Sequence, residues 1–100
     1  MKILTTALLI TASSISYSNQ TNINTCGANA SLAGKIMELR QDQFDLFEVH
    51  KAMSGDNKTI NLVNRAYEKP AYQMQENKLR EIQRFKNQIM LECMQQLNSQ

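Results

Sequence analysis

QMQENKLREIQRFKNQIMLECMQQL, residues 73–97, carries the longest helical period in the chain and contains one of its two cysteines. Stepping about 100° per residue from Leu79, the side chains of Ile82, Phe85, Ile89, Met90, Cys93, Met94 and Leu97 fall on roughly half the helix circumference. The spacing predicts a long amphipathic helix, centred on Leu79, with its apolar side turned to a core. No segment alternates with period two for long enough to make a strand, so the expected fold class is all-α.

Upstream of this helix, Pro70 lacks an N–H donor and restricts Lys69, which ends any helix before it. A third helix is expected from a cap at Asp56 or Asn57 to about Glu68, with Ile60, Val63, Ala66 and Tyr67 inward and Leu62 at the margin. Tyr67 and Tyr72 flank the turn and are expected to fill the corner between the third helix and the last. Asp45 followed by Glu48 reads as a capping box, and Phe44 with Val49 as a hydrophobic staple. The second helix then covers residues 46–53, with Leu46, Val49 and Met53 inward, and Ser54-Gly55 is expected to end it with the glycine in the left-handed conformation. A first helix should open at a Thr25 cap, with Cys26 in its first turn. Ala28, Leu32, Ile36 and Leu39 share one of its faces, widened by Ala33 and Met37. Gly34 is either a weak point in that helix or a place where another element comes close. The expected architecture is a small bundle of three short helices packed on one long C-terminal helix, one domain over residues 25–100.

Residues 1–18 have the pattern of a secretory signal peptide: Lys2, an apolar run over residues 3–12, and small residues at Ser16 and Ser18. Cleavage is expected after Ser18, with Ser16 as the alternative, followed by a flexible lead-in over residues 19–24. The apolar run is shorter than the roughly 20 residues a membrane span needs, so no membrane span is expected after cleavage. The expected location is periplasmic or secreted. Removing Lys2 with the leader leaves ten basic residues against nine acidic ones, where the full chain has eleven against nine. A nearly neutral chain without a basic cluster argues against nucleic acid or an anionic membrane as partner.

A domain of about 80 residues buries little apolar surface and commonly needs a covalent staple. In an oxidising compartment Cys26 and Cys93 have only each other, and closing so long a loop contributes about 4 kcal/mol in the chain-entropy model. Neither cysteine sits in the short Cys-x-x-Cys spacing of redox or metal sites, so a structural disulfide is expected.

Few residues suggest chemistry. His50 is the sole histidine; it lies near the apolar side of the second helix and is expected to be partly buried against a backbone carbonyl. No Gly-x-Ser-x-Gly elbow accompanies it, although acid–base or metal chemistry centred on His50 is one alternative reading. Asp42, Asp45, Glu48 and Asp56 do not follow the spacing of a calcium loop. Glu76 and Glu81, mixed with Lys78, Arg80, Arg84 and Lys86, read as a solvated helix face. Met37, Met53, Met74, Met90 and Met94 either fill the core or, in a second alternative, line a site for a small apolar ligand. Leu91 falls among polar residues on the wheel. Either it packs beneath the first helix, or with Arg84 and Gln88 it forms a partner-facing surface, since leucine and arginine suit the centre and edge of an interface. The function expected is that of a non-catalytic module binding another envelope protein, as an inhibitor or modulator, with no catalytic residue, cofactor or metal ligand.

Ile36-Met37-Glu38-Leu39-Arg40-Gln41, Ala66-Tyr67-Glu68-Lys69-Pro70 and the stretch from Phe85 to the late Cys93, taken together, resemble a group of small secreted proteins of Gram-negative bacteria and their phages without assigned activity. The likeness runs over residues 33–93 and implies a periplasmic location and nothing about mechanism. Where the related chains have a glycine-containing turn after Arg-Gln, this chain has Asp42-Gln43-Phe44-Asp45.

The staple is open to measurement. Cys93→Ser is expected to lower the thermal midpoint markedly under oxidising conditions, and reductant should bring the wild type down towards the variant; equal midpoints with and without reductant would contradict it.

Overall fold

The computed structural model describes residues 2–53 and 55–98, with side chains from residue 22 onward. Four helices appear: α1 (Lys2–Gln41), α2 (Leu46–Ala52), α3 (Asn57–Tyr67) and α4 (Gln75–Asn98), with no strand among the described residues. The fold is an all-α bundle in which the long C-terminal helix packs on the others, closed by a disulfide between Cys26 and Cys93.

Three contacts fix the relation of α1 to α4. The cysteine Cα atoms lie 5.5 Å apart, a Cβ added at Gly34 would stand 2.7 Å from Lys86 Cδ, and Gln41 bonds the chain at Tyr72. As the first partner advances along the sequence the second retreats, so the helices run antiparallel. Gly34 is thus a point of close approach. The buried stripe on α1 is Cys26, Ala30, Ala33, Ile36, Met37 and Gln41, and its small residues allow α4 near the axis. Ala28, expected inward, is exposed. Phe85, Ile89, Leu62, Val63, Ala66 and Val49 complete the core against α1.

α1 does not begin at Thr25. Asn22, Ile23 and Asn24, expected to be a flexible lead-in, are helical with exposed side chains. No proline or glycine between residues 19 and 25 interrupts a helix already nucleated in the packed part, and propagation needs only one hydrogen bond per added residue. The expected cleavage point after Ser18 falls among residues whose side chains lie outside the described set. No helix among the described residues is long and apolar enough to cross a membrane.

The end of α1 is held by side chains that its sequence pattern did not single out. Gln41 is buried; its Nε2 donates to the Pro70 carbonyl at 2.9 Å and its Oε1 accepts the Tyr72 N–H at 2.9 Å. Arg40 Nε donates to the Lys69 carbonyl at 2.8 Å, and its guanidinium lies over the Tyr67 ring. In the connection from α3 to α4, these two side chains supply partners to the Lys69 and Pro70 carbonyls and to the Tyr72 N–H. Tyr67 turns towards the other loop, its hydroxyl donating to the Phe44 carbonyl at 2.7 Å, rather than towards α4. Burial is the main cause that raises its pKa above the ordinary 10.

Local signals set the helix boundaries. Asp45 Oδ2 accepts the Glu48 N–H and Asp56 Oδ1 accepts the Thr59 N–H, each capping the helix that follows. Glu48 itself reaches Lys51 rather than back to its cap. Two expected inward residues stand outside: Leu46 and Ile60 are exposed, while Thr59 and Leu62 occupy the buried side of α3. Gly55 does not adopt the left-handed conformation; α2 ends with Met53 extended.

The left-handed residue is instead Gln43, at φ 63°. Gln43 N–H bonds the Arg40 carbonyl and Phe44 N–H the Leu39 carbonyl, the paired bonds of a Schellman terminus. That position favours glycine, because a Cβ there costs about 1 kcal/mol. Gln43→Gly is expected to raise the thermal midpoint by roughly 4–8 °C, read by circular dichroism; a lower midpoint would show that the Gln43 side chain contributes more than its backbone costs.

Candidate functional site

Position on α4 is decided by where α1 lies. Phe85, Ile89 and partly buried Ile82 face the core with Cys93, so the buried centre sits about 90° from Leu79 at 100° per residue. Leu79 is consequently 56% exposed, and Glu81, expected in solvent, is only 5% exposed. The Glu81 carboxylate accepts a bond from Arg84 Nη1 at 3.3 Å, a charged partner that lessens the cost of burying it.

The opposite side of α4 carries the residues expected at a partner surface. Leu91 is 58% exposed and does not pack beneath α1. Arg84 and Gln88 stand two turns and one turn before it, both exposed; Gln88 Nε2 donates to Glu92 Oε2 at 3.2 Å. Arg84, Gln88 and Leu91 therefore share one solvent-facing strip, with Arg84 tethered from below by Glu81.

A second feature escaped the sequence pattern. Between α3 and α4, next to the disulfide, an open groove of about 380 Å3 is floored by Leu62, Ile89 and Cys93. Its rim carries side-chain amides and charges. Lys58 Nζ donates to Asn29 Oδ1 at 2.9 Å, and Asn29 Nδ2 lies 3.7 Å from Cys93 Sγ. Arg65 spans the far end, its two terminal nitrogens donating to the two oxygens of Glu92 at 2.8 Å each. That pairing is the main reason the Glu92 pKa lies below its ordinary 4.5 and the Arg65 guanidinium holds its proton more tightly than usual. Residues 27 apart in sequence follow no spacing rule, and only the polar edge of α3 hinted that one side lacked a helix to cover it.

His50 pairs with a side chain, not a backbone carbonyl: its Nε2 lies 3.0 Å from Asn64 Oδ1, bridging α2 and α3. Among the described residues no three of His, Cys, Asp and Glu converge as a metal site. The methionines do not share one environment, since Met37 is fully buried and Met74 exposed. Comparison with protein-family models, curated proteins and solved structures finds no match for this chain.

The Arg65–Glu92 pair has a defined pH signature. Glu92 is lowered, so its stabilisation is present above the ordinary carboxylate value and is lost as pH falls through the lower folded value. Arg65 is raised, so its part persists at all lower pH until Glu92 is protonated. Their side chains are 31% and 45% exposed, which restricts the pair to about 0.5–1 kcal/mol. Arg65→Gln should lose that amount in urea unfolding at pH 7 and almost none at about pH 2; an equal loss at both would assign the effect to the contact of the guanidinium with the Phe85 ring, whose centroid lies 6.0 Å from Arg65 Cζ.

Proposed function

We propose that the protein acts outside the cytoplasm as a non-catalytic module that binds another envelope protein, as an inhibitor or modulator. The observation that carries this reading is the uncovered strip of α4: Leu91, exposed beside Arg84 and Gln88, on the side of the helix away from the core. An exposed leucine framed by an arginine and an amide fits the anchor and rim of a small interface. Arg84 is held in place by Glu81, which lowers the entropy lost on docking. Export is supported by the leader-like pattern of residues 1–18 and by the disulfide, a bond that persists in oxidising compartments. A His50-centred enzyme has less support, because the imidazole is engaged by an amide rather than by a nucleophile or a carboxylate.

The test is capture from periplasmic extract on immobilised wild type, Leu91→Arg and Arg84→Gln, with the amide chosen so that Glu81 keeps a hydrogen-bond donor. A partner held by wild type should fall at least tenfold on both variants. Recovery of the same set on all three would remove the α4 strip from the function.

A further inference from the structure

The α3–α4 groove has the dimensions and lining of a small-ligand site, and its chemistry is directional. Asn57, Asn61 and Arg65 succeed one another at every fourth residue along α3, about 6 Å apart at 1.5 Å per residue. An extended peptide repeats every two residues in about 6.6 Å, so its alternate peptide groups keep nearly the same step. A side-chain amide presents one acceptor and two donors, the complement of a peptide C=O and N–H. Asn57 and Asn61 on α3, with Gln96 across the opening on α4, place such groups along both rims.

Charge distinguishes the two ends. At the far end Arg65 is neutralised by Glu92. At the near end Lys58 makes its hydrogen bond to the uncharged amide oxygen of Asn29, so the lining carries two cations against one anion and the excess positive charge sits at Lys58. Between them Leu62 and Ile89 offer apolar surface for one side chain. The volume of about 380 Å3 is at the small end of the range for ligand pockets, enough for two or three residues rather than a folded partner.

We infer that this groove binds the carboxylate end of a short, extended peptide. The terminal carboxylate pairs with Lys58, the adjoining peptide groups bond Asn57, Asn61 and Gln96, and the last or penultimate side chain rests on Leu62 and Ile89. The site lies on a different side of α4 from Leu91 and does not depend on the strip proposed to bind a protein.

The experiment is a nuclear magnetic resonance titration of the oxidised, isotope-labelled protein. The probes are N-acetylated tripeptides ending in Ala, Leu, Lys or Asp, each as the free acid and as the C-terminal amide. At least one free acid should give saturable shifts of the Asn57, Asn61 and Gln96 side-chain amides, and its amide should bind at least tenfold more weakly. Lys58→Gln should weaken the free acid at least tenfold, whereas Leu91→Arg should leave it unchanged. No saturable shift with any acid, equal binding of acid and amide, or the same shifts with acetate alone at the same concentration would each overturn the inference.

Discussion

Cys26 and Cys93 join the start of the packed part of α1 to the late turns of α4, and the rest of the packing conforms to that crossing. Folded domains are stable by only about 5–15 kcal/mol, so a cross-link worth about 4 kcal/mol is a large share. The core it closes is thin. Phe85, Ile36, Met37 and Val63 are its largest fully buried apolar side chains, each contributing about 1.5–3 kcal/mol before the entropy of ordering the chain is subtracted. Without the covalent tie, two helices meeting through alanines and a glycine would have little to hold their ends together.

The other end of the same helix pair is held by polar bonds. Gln41 and Arg40 reach the carbonyls of Pro70 and Lys69, and Gln41 also takes the Tyr72 N–H. A buried amide with donor and acceptor both used costs little to bury and fixes the register of what it touches. The disulfide and this amide clasp lie at opposite ends of the α1–α4 contact, and α3 is carried between them. The segments Ile36 to Gln41 and Ala66 to Pro70 are therefore the two halves of one contact.

Much of this was legible in the sequence because it is local. Asp45, Asp56 and Pro70 mark helix ends through bonds made or lost within four residues, and the helices begin and end close to where those residues place them. The rotation of each helix was less legible, since the buried side depends on where neighbouring helices come to rest. Leu79, Leu46, Ile60 and Ala28 were expected inside on hydrophobicity and stand outside; Glu81, Gln41 and Thr59 are polar and lie inside, the first two held by bonds to distant or charged groups. The left-handed turn was placed at Gly55 by residue type, yet the chain adopts it at Gln43, where two backbone bonds outweigh the steric cost. The wheel set Leu91 among polar residues but left open whether it packs beneath the first helix or faces out, and it is exposed. The groove beside the disulfide could not be recognised, because it is made by the separation of α3 and α4, a property of no single segment.

The two sulfurs of the cross-link differ in access. Cys26 is sealed in the core, while Cys93 is partly open and forms part of the groove floor. Thiol exchange begins by attack on a reachable sulfur, so an incoming thiolate meets Cys93 and expels Cys26. The first product of reduction is then a mixed disulfide on α4, with a free thiol retained inside the bundle and positioned to expel the intruder. Access from one side thus fixes which sulfur carries the intruder and which cysteine resolves it.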